Sequence, residues 1–444
     1  MRSDRERPRL LSPDRRQLQM RAMDLEALLP SEHRARLVWA AVERLDLSAF
    51  YDEIAARGST PGRPAMDPRL LLALWMYATS EGVGSSRQLE RLCTRDDAYR
   101  WLCGGVEPGY RTLSEFRVEH GEKLDELLTQ VLATLTHKRL LTLKRVAQDG
   151  MRVRASAGAA SFRRGHTIAK HLAEARAQVQ ALRSELETDP AASNEREKAA
   201  RERAVQEREQ KLTEALAELP KMREARERAK HKKGRKPGTK DDESEAPGQQ
   251  PASEPTAQDD LRVSTTDPEA RVMKMGDGGF RPAVNVQYAT DCQTRLIVGV
   301  STSNEGSDQR QMIPMLDQLE RRTGVRPSEY LVDGGFANLA AIDEAESRGV
   351  RVYAPVPKPR KEGADPHERK KADTDLTFAW RQRMATPEAK RIYVERGAVA
   401  ETVNADVRNR GLRQMPVRGL RKAHCVALLY ALTYDVLRIA QLAA

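Results

Sequence analysis

The chain has 444 residues, enough for two or three domains, and carries 76 Lys+Arg against 65 Asp+Glu, a net charge of +11. That basic excess on a chain of only 5% aromatics favours a polyanionic partner. The four cysteines form no CxxC pair and carry no histidine at ligand spacing, which argues against a zinc site and for buried thiols in a reducing compartment.

No run approaches ~18 consecutive apolar residues, and the start Met-Arg-Ser-Asp-Arg-Glu-Arg-Pro has no apolar core behind it. The expectation is a cytoplasmic, nucleoid-associated protein with no membrane partner. Residues 1–140 read as short helices, an N-terminal DNA-binding domain. Asp67 is a predicted N-cap for a helix beginning at Pro68, and Gly82-Val83-Gly84 breaks it. Ser85-x-x-Gln88 predicts a capping box for the next helix, and Thr112-x-x-Glu115 another, for a long helix through Leu128, Val131 and Leu135. Two helices about a glycine turn fit a helix-turn-helix; a plain helical bundle fits the same pattern. Arg87, Arg91, Arg95 and Arg100 favour DNA contact.

Residues 141–166 open the second domain with a buried strand over 143–149, ending at Asp149. Over 167–220 the pattern changes. Ile168, Leu172, Ala175, Val179, Leu182 and Leu186 follow a heptad seam, with Asp189-Pro190 as its stop. A second charged helix carries Val205, Leu212, Leu216 and Leu219 to Pro220. The expectation is an inserted antiparallel hairpin whose two seams pack together. Residues 221–262, basic through His231-Lys232-Lys233-Gly234-Arg235-Lys236-Pro237 and then acidic, read as a disordered charged linker.

Residues 263–444 complete the second domain. Runs 283–289 and 296–300 flank a short turn and predict a hairpin. A helix from Asp308, which would cap it, to Arg322 presents Met312, Met315, Leu316 and Leu319 on one face. Strand 328–333 ends at Asp333 and is expected to lie parallel beside the first strand. A helix over 337–348, a strand over 350–354, a basic loop over 356–374 and C-terminal helices follow. The order implies a mixed sheet flanked by helices, an α/β arrangement of RNase H-like type.

Asp149 and Asp333 at strand ends and Glu401 on a helix are candidate catalytic and metal-binding residues. Mg²⁺ takes oxygen ligands, usually one or two carboxylates plus substrate phosphates. Two such ions about 3.5–4 Å apart hold the attacking and leaving oxygens of an in-line displacement. Rival acids are Asp277 in a turn, Asp291 at the hairpin tip, Asp308, and Glu395, six residues before Glu401 and on another face of that helix.

Tyr393, Arg396, Glu401 and Arg408 together resemble the Tyr-Arg-Glu-Lys signature of bacterial DDE insertion-sequence transposases. Asp333-Gly334-Gly335-Phe336 is similar to that family's second-aspartate motif, and Asp149-Gly150 to its first. The stretch Ser264 to Ala270 with Gly278-Gly279-Phe280, and the N-terminal segment Asp67 to Arg117, extend the likeness over most of 60–440. Two departures stand out: four residues separate Arg396 from Glu401 where three are usual, and Arg408 replaces Lys, so a phosphate would be gripped by a fork rather than a point charge. The resemblance implies a transposase that cuts transposon ends and joins the 3′-OH to target DNA. It would use two Mg²⁺ (or Mn²⁺) on Asp149, Asp333 and Glu401, with Tyr393, Arg396 and Arg408 on DNA, and act on transposon-end and target DNA as a homodimer. A metal-dependent nuclease without strand transfer, and an inactive DNA-binding descendant, are the alternatives.

Overall fold

The structure, a computed structural model, describes residues 24–57, 64–188, 195–234, 261–359 and 363–443. The N-terminal part is helical: α1 (Arg34–Glu43), α2 (Ser48–Asp52), α3 (Pro68–Ser80), α4 (Ser86–Arg95), α5 (Asp97–Cys103), α6 (Tyr110–Glu119) and α7 (Gly121–His137). Asp67 caps α3 by accepting from the Arg69 N–H, and Ser85 caps α4 by accepting from the Gln88 N–H. The expected long helix from Thr112 is instead two helices. Thr112 lies inside α6, and the break falls at His120–Gly121. A Cβ at Gly121 would stand 2.9 Å from Cys425 Sγ, so the chain turns where a C-terminal helix crosses it closely.

The strands are β1 (Arg145–Arg154), β2 (Phe162–Arg164), β3 (Arg262–Ser264), β4 (Arg271–Lys274), β5 (Phe280–Asp291), β6 (Ile297–Ser303), β7 (Glu329–Leu331) and β8 (Arg351–Tyr353). The main sheet runs β4-β5-β1-β7-β8, with β6 also paired to β5. β1 is central. It pairs antiparallel with β5 from Val146 to Arg154, and parallel with β7 only at Arg145–Ala147. The expected hairpin and the parallel return of the 328–333 strand are both present.

Further helices are α8 (Gly165–Thr188), α9 (Glu195–Gly234), α10 (Met312–Thr323), α11 (Leu339–Ser347), α12 (Asp375–Ala385), α13 (Pro387–Arg396), α14 (Thr402–Asn409) and α15 (Leu420–Ala443), with a π-helical turn, Gly397–Glu401, between α13 and α14. On one face of the sheet, Gln148, Ala289 and Gly299 meet α10: Gln148 Nε2 donates to the Gln311 carbonyl, and Met315 fills the space over Gly299. On the other, Asp149 and Tyr288 stand side by side, and the Tyr288 hydroxyl donates to Ala427 of α15. α15 is long and apolar enough to cross a bilayer, but its residues from Cys425 to Val436 are buried against α3, α6, α7 and β6. Through α15 the N-terminal helices and the sheet share one continuous core.

α8 and α9 form the expected antiparallel hairpin, entered and left through the β2–β3 ribbon. Ile168, Leu172 and Ala175 bury against Leu212, Ala215, Leu219 and Val263, with Leu216 partly buried. Val179 is also buried, Leu182 and Val205 only partly, and the Leu186 side chain and Asp189-Pro190 lie outside the described residues. Pro220 does not end the second helix. It is exposed, so its missing N–H costs a bond only on the solvent side, while Leu219 and Met222 hold the helix onto Val263 and Leu261. The first part of the expected linker, 221–234, is therefore helix; 235–260 lie outside the described residues. Because the hairpin carries its own apolar cluster, replacing residues 168–260 by a short Gly/Ser loop should leave a cooperatively melting protein of native β content by circular dichroism. Loss of the cooperative melt would make the hairpin part of the core.

Candidate active site

β7 stops at Leu331, two residues short of Asp333, so β1 runs on past Ala147 with that edge unpaired as far as an isolated bridge from Arg154 to Gln414. Asp149 lies on this open stretch, in the middle of β1 rather than at the strand end expected, because pairing with β5 carries the strand on to Arg154. Its Oδ1 accepts from the Gly150 N–H at 2.9 Å and its Oδ2 from Asn404 Nδ2 at 3.0 Å. Asp333 makes the corresponding turn, its Oδ1 accepting from the Gly335 N–H at 2.7 Å. Both aspartates are thus held by their own following backbone, and the Asp-Gly sequence serves this local bond.

Gly150 is also required by packing. A Cβ there would stand 2.4 Å from Gln287 Nε2 and 2.6 Å from Asp308 Oδ1. Asp308 does not cap a helix as its position in the sequence suggests; α10 begins at Met312 after Gln311. Asp308 is buried behind β1, accepting from Asn285 Nδ2 (2.7 Å), Gln287 Nε2 (2.6 Å) and Arg152 Nη2 (3.1 Å). The loop after β6 is tied to the central strand by this network. The other rivals are occupied as well: Asp277 pairs with Arg281, Asp291 accepts from Thr294, and Glu395 from Arg145 at 2.7 Å.

Arg145 joins three elements at the start of β1, bonding Glu329 of β7 as well as Glu395 at the end of α13. That fixes the height of α13 over the sheet. The π turn then sets its rotation. A π turn accommodates one residue more than an α turn, and it lies where the sequence has four residues instead of three between Arg396 and Glu401. As a result the two side chains share a face: Arg396 Nη2 is 3.0 Å from Glu401 Oε1, and its Nη1 is 3.9 Å from Asp149 Oδ2. The Arg396 guanidinium carbon lies 5.8 Å from the Tyr393 ring centre.

Burial alone would lower the Arg396 pKa, but Tyr393, Asp149, Asp333 and Glu401 around it reverse the direction and raise it. Asp149 is pushed up to about 6 by burial, against the pull of Arg396 and with the push of Asp333. Arg396 is therefore the shared partner of Glu401 and Asp149, and the charge of Asp333 acts on it as well. Arg408 is exposed on α14, two helical turns beyond Glu401. Asn404 was not legible as a site residue. The available signal was a polar side chain between Val403 and Val407, one turn after Glu401.

Among the described residues no three His, Cys, Asp or Glu side chains form a ready-made metal cluster. The donor set nevertheless fits a hard divalent cation: it is all carboxylate oxygen, and Asn404 Oδ1 beside it is buried without a partner. Arg396 holds the place of positive charge.

A buried carboxyl whose pKa is raised from 3.8 to about 6 destabilises the fold once it is ionised. The penalty is absent below the unfolded value and complete above the folded one. Asp149→Asn should therefore raise Tm in EDTA at pH 8 by a few degrees, a gain of about 2–3 kcal/mol, and give little change at pH 4. An equal or lower Tm at pH 8 would contradict the assignment of Asp149 as a buried charge.

Residues 23–119 match the family model described as Transposase domain (DUF772), and residues 242–436 match that described as Transposase DDE domain. The second match contains Asp333, Tyr393, Arg396, Glu401 and Arg408; Asp149 precedes it. No curated protein and no solved structure matches the chain significantly. On the two family matches, the chain belongs to the DDE transposases of insertion sequences.

Proposed function

We propose that this transposase cuts the ends of its insertion sequence and joins the freed 3′-OH to target DNA, with Asp149, Asp333 and Glu401 as the catalytic carboxylates on an RNase H-like sheet. The observation that carries the reading is Arg396, which lies 3.0 Å from Glu401 and 3.9 Å from Asp149 and is held charged in part by Asp333. The strand order β6-β5-β1-β7-β8, with the first three antiparallel and the last two parallel to the centre, supports the RNase H-like arrangement.

Asp149, Asp333 and Glu401 would hold two Mg²⁺ or Mn²⁺. When bound there, such ions supply Lewis-acid activation of an attacking water or 3′-OH and stabilise the leaving oxygen. Asn404 orients Asp149 through its Oδ2, leaving the Oδ1 side fixed by the Gly150 N–H. Arg396 then has a second role. Its planar fork suits a DNA phosphate as well as a carboxylate, so it grips the substrate once other positive charge satisfies the acids. Tyr393 stacks behind it and Arg408 reaches the same strand from the next turns. Two copies acting together on the paired transposon ends complete the reading.

The test is a plasmid assay with a supercoiled donor carrying the element. Wild-type protein with Mg²⁺ should give both cleaved ends and strand-transfer products. Asp149→Asn, Asp333→Asn and Glu401→Gln should each lower both by at least about 10³-fold while end binding persists, because phosphate contacts elsewhere supply the affinity. Cleavage with no joined product would make the protein a nuclease, and activity in any one variant would remove that residue from the site.

A further inference from the structure

The N-terminal helices and the inserted hairpin face each other across a cleft of about 890 Å³. One wall holds Arg87 at the start of α4 and Tyr110, Arg111 and Ser114 at the start of α6; Arg203 of α9 lines the other. Arg87 and Arg111 are exposed and both approach Tyr110: the Arg87 guanidinium carbon is 5.2 Å from the ring centre, and Arg111 Nε donates to the hydroxyl at 3.4 Å. Glu115 is the only carboxylate lining the cleft among the described residues.

At its base lies Arg117, only 6% exposed. It donates to the Gly84 carbonyl and stacks 4.6 Å from the Trp75 ring centre, but its Nε is buried without a partner. Burial pulls its pKa down to about 10, and no carboxylate is among the groups that act on it; the nearby Tyr430 phenol is neutral, its own pKa pushed up to about 12. A buried guanidinium with no anion is costly, and a cleft that places one among three further arginines is built to receive an anion. The anion is an extended one. Arg91 and Arg95 continue from Arg87 along α4 at four-residue spacing, all exposed, so the positive face runs the length of the helix.

We propose that this cleft seats the sugar-phosphate backbone of duplex DNA, with the inserted hairpin as one wall of the seat and Arg117 as its buried floor. The proposal rests on the transposase reading above. It gives the hairpin a role: an insertion that presents Arg203 to the N-terminal helices closes a groove that those helices alone would leave open.

The experiment is fluorescence anisotropy of the full chain with a short labelled duplex of arbitrary sequence, titrated over a range of salt. Each phosphate neutralised contributes about 0.9 to the slope of log affinity against log salt. Arg87→Gln/Arg111→Gln/Arg203→Gln should lower that slope by about 2–3 and weaken binding at least ~10-fold at moderate salt. Lys138→Gln/Arg321→Gln/Arg326→Gln, an equal loss of exposed charge outside the cleft, should leave the slope near wild type. Arg203→Glu alone, on an exposed face of α9, should weaken binding without touching the core.

Arg117→Met separates binding from structure. It should weaken DNA binding with an unchanged or higher Tm, since the buried charge is removed and the stem retained. A lower Tm with unchanged affinity would show that Arg117 serves only to hold Gly84 and Trp75, and would overturn its role. An equal slope for the cleft and control triples would overturn the seat itself, as would a preference for duplex RNA. If the wild-type chain binds no duplex at all, the transposase reading fails first, and the cleft assignment with it.

Discussion

Carboxylates gathered at one edge of a sheet repel one another, and burial raises the cost of each charge. At Asp149 burial pushes the pKa up to about 6 against the pull of Arg396, and Asp333 adds to the rise. What makes the arrangement tolerable is Arg396, placed where its guanidinium reaches Asp149 on the central strand and Glu401 on the crossing helix. The rest of the C-terminal half positions that one cation. Arg145 clamps the end of α13 to the sheet through Glu395 and Glu329, the π turn rotates Glu401 back toward Arg396, and α15 fills the sheet face alongside.

The same arrangement explains why β1 outlasts its parallel neighbour. A strand paired on both edges to its end would close off the edge on which Asp149 lies. Here β7 stops at Leu331, the chain turns at Asp333, and the open edge of β1 receives the crossing helix and its Asn404. Behind the strand, Asp308 accepts from Asn285, Gln287 and Arg152, so the buried polar side chains of β5 and β1 on that face are bonded to one another.

Much of this was legible in the chain. Asp149 and Asp333 each precede glycine, and the bond each makes to the next backbone N–H groups survives folding because it is local; neither ends a strand as expected, since β1 runs on to Arg154 and β7 stops at Leu331. The heptad seam from Ile168 likewise found its partner, since apolar periodicity encodes a face without reference to the rest of the fold. What was not legible is what depends on distant neighbours. The break at His120–Gly121 falls where α15 passes so close that a Cβ on Gly121 would meet Cys425; Thr112 had every local mark of a cap and lies inside α6. Asp308 looked like an N-cap and is a buried acceptor. Pro220 looked like a stop, yet the helix passes through it because Leu219 and Met222 are held from the other side. The extra residue between Arg396 and Glu401 was visible as a departure; its accommodation as a π turn was not.

Arginine among acids and a divalent ion among acids are alternative solutions to one electrostatic problem, which makes the central claim open to direct observation. Crystals of the protein with Mn²⁺ and a DNA end, measured at an anomalous wavelength, should show manganese between Asp149, Asp333 and Glu401, with the Arg396 side chain turned from the carboxylates toward a phosphate. Manganese bound elsewhere, or a site still closed by Arg396 at saturating metal and DNA, would contradict the assignment of these three residues as one metal centre.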